Sequence, residues 1–421
     1  MRYYIIAGEA SGDLHGSNLI RGLMAEDPEA VFRFWGGDLM LDAVTNDVDS
    51  STCGAFSAEQ GETVASNMKD LSATNVVGSS TFGAFSAEKG ETAATEMPAG
   101  LVKHYREGAV MGVSDVLAKA GRLMANVRLC KRDIMAWKPD VVILIDYPGF
   151  NFKIAEYAHN KGIKVFYYIA PKTWASREGR NRKLRKYVDK LFIVFPFEKP
   201  YFDKNRIPYI YKGNPLIDAV DSHGYRRPCE EPFIAVLPGS RKSEISRMMP
   251  VCMEVADRLG CKVIVAGAPA RSAADYDAYI AGRRNVELVF GRTYDVLKYA
   301  DAAVINSGTA SLEAALIGTP QVVGWSASGL TIFVARRILK VGDHISFISL
   351  GNLILGRGAF RELIQKDFSA DKVEAEVRRL MTDADCRARM LSDYADIRAA
   401  LGGAGASRAV AKAMIESLTI S

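Results

Sequence analysis

The sequence has few cysteines and none in a ligand spacing. Its six cysteines, among 421 residues, form no CxxC pair and no Cys/His pattern, which argues against a zinc site and a disulfide framework. This usage favours a reducing cytoplasm. No run of about twenty apolar residues occurs, so a membrane-spanning helix is not expected. The apolar run that begins the chain is too short for a signal peptide, and no export is predicted.

A strong excess of one charge is also absent. The net charge is +5, which is small for this length, and nucleic acid is therefore not an expected partner. Hydrophobic residues make up 48% and charged residues 24%, an ordinary composition for a folded globular protein. At 421 residues the chain exceeds the usual size of one core, so two domains are expected.

Short apolar runs that end in Gly, Asp, Pro or Ser alternate with segments of helix length, such as 14–25 and 151–160. The first set of predicted strands is 3–7, 31–35, 141–145, 165–169 and 191–195. A second set follows a polar stretch near residue 221: 233–237, 262–266, 286–289, 302–305 and 321–323. Continuous hydrophobicity suits strands buried on both faces, and the β-α-β rhythm predicts two doubly wound parallel sheets.

We divide the chain into an N-terminal domain (1–220), a C-terminal domain (221–400) and a C-terminal helix (401–421) that packs back on the first domain. Within the first domain, residues 50–68 recur at 79–97, a shift of about thirty residues. Because this composition is rich in Ser, Thr, Ala and Gly, we expect 42–100 to be an inserted surface excursion. Its role cannot be read from the sequence.

Two candidate motifs follow strands of the first domain. The glycine-rich turn from Ala7 to Gly16 lacks the GxGxxG pattern, which disfavours a dinucleotide cofactor. Its small residues and helix-start amides could bind hydroxyl-rich or anionic groups, although Ser11 or Asp13 could equally cap the helix. The second motif runs from Asp146 to Asn151. Asp146 could act as a general base in the cleft, or it could cap the next helix.

Two more motifs follow strands of the second domain. Gly239, Ser240 and Arg241 suit a diphosphate, because a glycine turn lets backbone amides approach and a guanidinium adds paired hydrogen bonds. A surface arginine after a tight turn is the alternative. The second motif runs from Asn306 to Glu313, where Ser307, Gly308 and Thr309 would present hydroxyls and amides at a helix start. A capping box would explain the same residues.

Taken together, these four motifs resemble lipid-A-disaccharide synthase, an inverting glycosyltransferase of the GT-B type with two Rossmann-like domains facing a cleft. The resemblance covers nearly the whole chain outside 42–100. Segments that support it are 34–40, 109–112, 171–174, 196–198, 213–216, 346–353 and 405–408. The sequence differs from the family pattern at Ala170, Ser176 and Asp115, on the acceptor side.

The resemblance implies that Asp146 is the base for the acceptor hydroxyl and that Arg241 faces the diphosphate. It assigns the acceptor and its acyl chains to the domain at 1–220 and uridine diphosphate (UDP) to the domain at 221–400. There UDP would lie at Ser307, Gly308, Thr309 and Glu313. We add Glu9, Ser11, Asp13, His15 and Asn151 as candidate substrate-binding residues. The implied reaction transfers 2,3-diacylglucosamine from UDP to 2,3-diacylglucosamine 1-phosphate and forms a β-1,6 disaccharide, in the lipopolysaccharide synthesis of a Gram-negative bacterium.

No cofactor and no metal are expected, because Arg241 and the helix start near Ser307 can neutralise the leaving phosphate. Metal-dependent transferases use a DxD tripeptide at a strand end, and three such tripeptides occur here. The one that begins at Asp47 lies in the polar insert. Those that begin at Asp275 and Asp383 are interpreted as helix surface or turn.

Acylated substrates imply a peripheral site on the inner face of the inner membrane. Residues 113–134 form an amphipathic basic helix and 177–190 are basic, which suits an anionic lipid surface. Alternatively, the helix at 113–134 packs its apolar side on the sheet, and the basic segment at 177–190 is only a solvated surface. The resemblance also leaves open a homodimer that exchanges C-terminal segments. The rival functions are another UDP-sugar enzyme, such as an epimerase or glucosaminyltransferase, and a catalytically silent binding protein.

Overall fold

The computed structural model describes residues 1–51, 100–109, 116–171, 173, 179–327 and 347–419. In these residues the predicted pair of parallel sheets is confirmed. The strands of the first sheet are β1 (Arg2–Ala7), β2 (Val31–Gly36), β3 (Gly100–His104), β4 (Val141–Ile145), β5 (Lys164–Tyr168), β6 (Lys190–Ile193) and β7 (Ile210–Tyr211). Their spatial order is β3-β2-β1-β4-β5-β6-β7.

The second sheet begins after residue 232. Its strands are β8 (Phe233–Leu237), β9 (Lys262–Gly267), β10 (Val286–Phe290), β11 (Ala302–Asn306), β12 (Gln321–Trp325) and β13 (Glu362–Ile364). Their order is β10-β9-β8-β11-β12-β13. In each sheet the order reverses direction beside the first strand, and ligands of such sheets bind in the crevice outside the carboxyl ends of the strands.

Helices cover both faces of the two sheets. They are α1 (Ala10–Glu26), α2 (Asp38–Ser51), α3 (Arg106–Ala109), α4 (Val116–Trp137), α5 (Pro148–Asn160), α6 (Arg180–Tyr187), α7 (Glu198–Lys204), α8 (Pro215–Asp221), α9 (Lys242–Leu259), α10 (Asp277–Ile280), α11 (Thr293–Tyr299), α12 (Thr309–Ile317), α13 (Leu350–Leu355), α14 (Ala370–Thr382), α15 (Ala384–Leu401) and α16 (Ala406–Thr419). Short 3-10 turns lie at Ala273–Asp275 and Gln365–Asp367.

The alternation of side chains along β1 shows why these strands are continuously apolar. Tyr3 and Ile5 face one hydrophobic cluster, and Tyr4 and Ile6 face another on the opposite side of the sheet. All four side chains are at most 1% exposed. A strand with apolar groups on both faces has to be covered by helices on both faces, as in all-parallel sheets.

The C-terminal helix α16 lies against α1 of the first sheet's unit. The two helices approach so closely that a Cβ at Gly22 would lie 3.1 Å from the Cβ of Ala411. The Asp218 carboxylate fixes the start of α16 by accepting hydrogen bonds from the backbone amides of Gly405 and Ser407. The division into 1–220, 221–400 and 401–421 stays a prediction, and these contacts support it.

The predicted excursion at 42–100 is wrong at its first residues. Helix α2 continues to Ser51, because Ala43 is buried and Leu41 and Val44 pack on the core, so the apolar side of the helix extends past residue 42. Strand β3 begins at Gly100. Residues 52–99 lie outside the described residues, as do Asp115, Ser176 and 328–346.

Candidate active site

The first turn of α1 lies directly under the turn that carries Asp146. A Cβ at Gly8 would lie 2.3 Å from Cγ of the Tyr147 ring, so this ring covers the backbone at Gly8. A Cβ at Gly12 would lie 3.1 Å from the Cβ of Ala7. The small residues of this motif therefore allow the helix, the strand ends and the Tyr147 ring to meet in one place.

Asp13 is held by the protein's own backbone. Its carboxylate is 2% exposed and accepts hydrogen bonds from the amides of Gly37, Leu39 and Met40, at 2.7, 3.2 and 3.2 Å. These amides belong to the start of α2, where a negative charge is stabilised. Burial raises the pKa of Asp13, and the three amides partly offset this. Asp13 therefore joins α1 to α2 rather than presenting its carboxylate to the cleft.

His15 lies one turn into α1 and is 7% exposed. Its Nδ1 has no hydrogen-bond partner among the described residues, and burial lowers the pKa of the ring to about 4. The ring lines a narrow crevice where the two sheets face each other. The residues around this crevice are Ser11, Gly12, His15, Ile145, Asp146, Ile169, Val194, Phe195, Asn214, Pro215, Leu216, Thr309 and Leu350.

The turn after β4 has unusual backbone geometry. Asp146 and Tyr147 both have φ of 43°, in the left-handed region that residues with a side chain rarely adopt. Ile169, at the end of neighbouring β5, has φ of 62°. Two adjacent strand ends therefore hold strained conformations at the crevice. Such strain is commonly stored at functional sites, and here it sets the direction of Asp146.

Asn151 stabilises this strained turn. Its Nδ2 donates to the carbonyl oxygens of Ile145 and Asp146, at 3.2 and 2.8 Å, and the Tyr167 hydroxyl also donates to the Asp146 carbonyl, at 2.6 Å. Asn151 is fully buried. The amide that we predicted to bind substrate thus positions the backbone of Asp146. The Asp146 side chain is partly exposed and lines the crevice.

Arg241 lies across the cleft from α1, at the N-cap of α9. Its Nη1 is 3.0 Å from Oε1 of Glu244, and its Nη2 is 3.7 Å from Oε1 of Glu9, which belongs to the other sheet's unit. Glu244 also accepts from the amides of Ser240 and Arg241, so it fixes the whole turn. Arg241 is 65% exposed and remains accessible to an anion.

The turn before α12 is held from the far side. The Ser307 hydroxyl donates to the carbonyl oxygen of Ile348 at 3.1 Å, so it is engaged with the protein. The carboxylate of Glu362 accepts hydrogen bonds from the amides of Ile348 and Ser349. Gly308 has extended backbone, and Thr309 begins the helix and lines the crevice. Thr309 and the first amides of α12 are thus the groups of this motif nearest the cleft.

Glu313 lies one turn into α12 and has a perturbed carboxyl. Burial raises its pKa to about 7, and a hydrogen bond from the Tyr294 hydroxyl to Oε1, at 3.1 Å, opposes the increase. The carboxyl therefore changes charge near neutral pH. In its charged form it can accept hydrogen bonds from two neighbouring hydroxyls, as on a ribose.

Among the described residues, the lining of the crevice around Asp146 includes no residue of the three DxD tripeptides. Asp47 belongs to α2, Asp275 pairs with Lys242 at 2.9 Å, and Asp383 caps α15 by accepting from the Cys386 amide. Within the described part of the chain, no cluster of three or more His, Cys, Asp or Glu side chains could hold a metal ion.

The structure brings together Ser11, His15, Asp146 and Thr309 around one crevice, with the Glu9 and Arg241 pair beside it. It gives Asp13, Asn151 and Ser307 partners within the protein. Sequence reasoning missed Glu244, Tyr294 and Glu362. The spacing of Glu244, three residues after a helix N-cap, is a capping signal that could have been found. Tyr294 and Glu362 reach the site from other elements, and no local pattern marks them.

Comparison with known proteins decides the family. The family model described as Lipid-A-disaccharide synthetase matches residues 92–414. The chain belongs to this family. The lipid-A-disaccharide synthase of Geobacter metallireducens is 34% identical over 433 residues, covering 99% of this chain and 97% of its own. That of Myxococcus xanthus is 32% identical over 431 residues, covering 99% and 97%.

Solved structures agree on the fold of this family member. A UDP-GlcNAc 2-epimerase from Neisseria meningitidis, bound to UDP-GlcNAc, has a TM-score of 0.61 at 11% identity, covering 99% of this chain and 100% of its own. The glycotransferase of kitacinnamycin has a TM-score of 0.53 at 16% identity, covering 99% of both chains. The predicted GT-B arrangement is confirmed, and identities this low concern the fold alone.

Proposed function

We propose that this chain transfers 2,3-diacylglucosamine from its UDP carrier to 2,3-diacylglucosamine 1-phosphate, with formation of a β-1,6 disaccharide and UDP. Membership of the lipid-A-disaccharide synthetase family supports this reaction. In a single displacement with inversion, the acceptor 6-hydroxyl attacks C1 of the donor sugar, and the bond from C1 to the diphosphate breaks. The electron pair of that bond leaves with UDP.

Asp146 is the proposed base for the attacking hydroxyl. The side chain lies at the carboxyl end of β4 and lines the crevice between the sheets. Its direction is set by a backbone turn that Asn151 and Tyr167 hold through the Asp146 carbonyl. A base has to be held within hydrogen-bond reach of the proton it removes, and the hydrogen bonds to the Ile145 and Asp146 carbonyls hold this turn in place.

The opposite side of the cleft is the proposed UDP site. Arg241 would stabilise the diphosphate, whose charge grows as the sugar leaves, and the first amides of α12 add a positive helix terminus. Glu313 would accept hydrogen bonds from the ribose hydroxyls. Glu9 already pairs with Arg241 across the cleft, so a bound diphosphate would exchange with Glu9 for this guanidinium.

One observation supports the proposal most strongly. Ser11 and His15 from α1, Asp146 from the turn after β4 and Thr309 from the start of the proposed nucleotide helix all line the same narrow crevice. An acceptor held at Asp146 would therefore lie next to a donor sugar attached to a UDP bound at α12. Both halves of a two-substrate reaction meet at this point.

The substrates are tested by UDP release. We expect release from UDP-diacylglucosamine only when diacylglucosamine 1-phosphate is present, and no turnover of UDP-GlcNAc without acyl chains. Epimerisation of UDP-GlcNAc would instead favour the first rival, another UDP-sugar enzyme. UDP binding without release from any donor would favour the second, a silent binding protein.

Peripheral membrane association is a further part of the proposal. Among the described residues no helix has the length and apolarity needed to cross a membrane. The inner side of α4 is fixed by a buried ion pair between Asp133 and Arg33, while its outer side exposes Met124, Leu129 and Met135 at 40, 37 and 41%. Arg128 and Arg132 are exposed on the same helix. Apolar and cationic groups on one face suit anionic lipid on the cytoplasmic side of a membrane.

Sedimentation with vesicles tests this. We expect binding to vesicles that contain anionic lipid, weaker binding in high salt, and weaker binding of Arg128→Glu combined with Arg132→Glu. Equal binding to neutral vesicles would contradict the proposed surface. A homodimer is also proposed, on the family resemblance alone, and sedimentation equilibrium measures it.

A further inference from the structure

The crevice beside Asp146 is narrow. Its volume is about 60 Å³, which is space for a few water molecules at about 10–15 Å³ each. A sugar ring with its substituents is too large for this space. An arm of two or three heavy atoms fits. Whatever enters the crevice is therefore a short projecting group whose larger part stays in the cleft.

The lining of the crevice is apolar apart from a few polar groups. Ile145, Ile169, Val194 and Leu350 supply apolar walls. Nδ1 of His15 has no partner among the described residues, although this ring is more than nine-tenths buried. A buried polar atom without a partner costs about 1–3 kcal/mol. Because the residue that carries this atom lines the crevice, a ligand with a hydrogen-bonding group is its candidate partner.

We propose that the crevice receives the 6-hydroxymethyl arm of the acceptor and that His15 binds the 6-hydroxyl, so that this slot selects the β-1,6 linkage. This inference rests on the proposed function. The 6-hydroxyl is the one hydroxyl of a glucosamine unit that stands on a carbon outside the ring. A ring hydroxyl stands directly on the ring, so it could enter the slot only together with part of the ring.

The chemistry follows from the same arrangement. Oxygen 6 forms its bond to C1 of the donor sugar, the bond from C1 to the diphosphate breaks with its electrons leaving on UDP, and the 6-hydroxyl proton passes to Asp146. His15 is a positioning group for the hydroxyl. Because burial lowers the pKa of His15 to about 4, its ring is neutral at pH 7 and can hydrogen-bond the hydroxyl without carrying a charge.

The test measures how His15→Ala binds two ligands of the acceptor site. One is diacylglucosamine 1-phosphate, and the other is its 6-deoxy analogue, which keeps the arm but lacks the hydroxyl and acts as a competitive inhibitor. We expect the KM of the true acceptor to rise about two- to tenfold, the range of one hydrogen bond, while the inhibition constant of the analogue and the UDP affinity stay unchanged. Asn18→Ala is the matched control, since Asn18 lies on the same helix with an unpartnered Nδ2 and outside the crevice lining.

If the KM of the true acceptor and the inhibition constant of the analogue rose equally, or if neither changed, the proposal would be overturned. Val194→Ile gives an independent measurement by adding one methyl group to the slot wall. We expect kcat/KM for the true acceptor to fall about tenfold or more, with UDP affinity unchanged. Unchanged kcat/KM would also overturn it. Absence of acceptor-dependent UDP release from the unmodified protein would instead show that the proposed function itself fails.

Discussion

Protonation of Glu313 should control UDP binding near neutral pH. Burial raises the pKa of this carboxyl from 4.5 to about 7, with the Tyr294 hydroxyl opposing the shift. Two ribose hydroxyls that donate to Glu313 would bind the charged form. Binding therefore weakens as the pH falls through 7, and UDP binding should release part of a proton.

The size of this effect follows from the pKa. With a pKa of about 7, about one carboxyl in ten is charged at pH 6 and about nine in ten are charged at pH 8. If UDP binds only the charged form, its affinity is about tenfold lower at pH 6 than at pH 8. Glu313→Gln should weaken binding at pH 8 and remove this pH dependence.

The assay is calorimetric titration of UDP from pH 5.5 to 8.5. Because the terminal phosphate of UDP also titrates near pH 6, 2′,3′-dideoxy-UDP is the matched ligand: it carries the same phosphates and lacks the hydroxyls that Glu313 would bind. The ratio of the two affinities isolates the carboxyl.

An affinity ratio that stays constant with pH, or the same pH dependence in Glu313→Gln, would refute the assignment of Glu313 to the ribose.

Further predictions concern the same residues. Tyr294→Phe removes the hydrogen bond that lowers the pKa of Glu313, so the midpoint of UDP binding should move to higher pH, and unchanged binding curves would contradict this. The pKa of Glu313 is higher in the folded state than in the unfolded chain, so the folded state binds this proton more tightly. The stability that the protonated carboxyl contributes is therefore present below pH 4.5 and is lost as the pH rises through 7. Glu313→Gln should therefore raise the melting temperature above that of the unmodified protein, and by more at pH 8 than at pH 5. An equal increase at both pH values would show that burial does not destabilise the charged Glu313 carboxylate. Gly8→Ala places a Cβ 2.3 Å from the Tyr147 ring. It should lower the unfolding free energy by about 1–3 kcal/mol and should also lower kcat. Gly149→Ala is the control, because a Cβ there meets nothing within 4 Å. Asp13→Asn replaces an acceptor of three amides and should cost about 1–3 kcal/mol in chemical denaturation with little effect on UDP affinity. Loss of UDP affinity without loss of stability would place Asp13 in the site.

The strands could be predicted because each is a buried run with a clear end. β4 and β8 begin and end at the predicted residues. β3 follows the repeated segment and is only partly buried along its length, and β7 has two residues, so neither has a distinct apolar pattern. The start of the surface excursion was misplaced at residue 42, because mostly polar residues after position 44 hide a helix that its earlier apolar residues support.

The candidate site could be predicted only to the level of motifs. A glycine-rich turn indicates that another group packs closely against the backbone, but not which group. The structure shows that the group next to Gly8 is the Tyr147 ring. The partners of Asp13 are amides more than twenty residues away, which no local pattern reveals. The left-handed backbone at Tyr147 and Ile169 is equally hidden, since neither residue is glycine, asparagine or aspartate.

The most direct test of the central claim is disaccharide formation by Asp146→Asn. This substitution keeps the shape and the backbone turn while removing the proton acceptor, so UDP affinity and melting temperature should match those of the unmodified protein while kcat falls by about 10²–10⁴. Normal kcat in this variant would contradict Asp146 as the base. A loss of UDP affinity or stability in step with kcat would assign the residue to holding the fold.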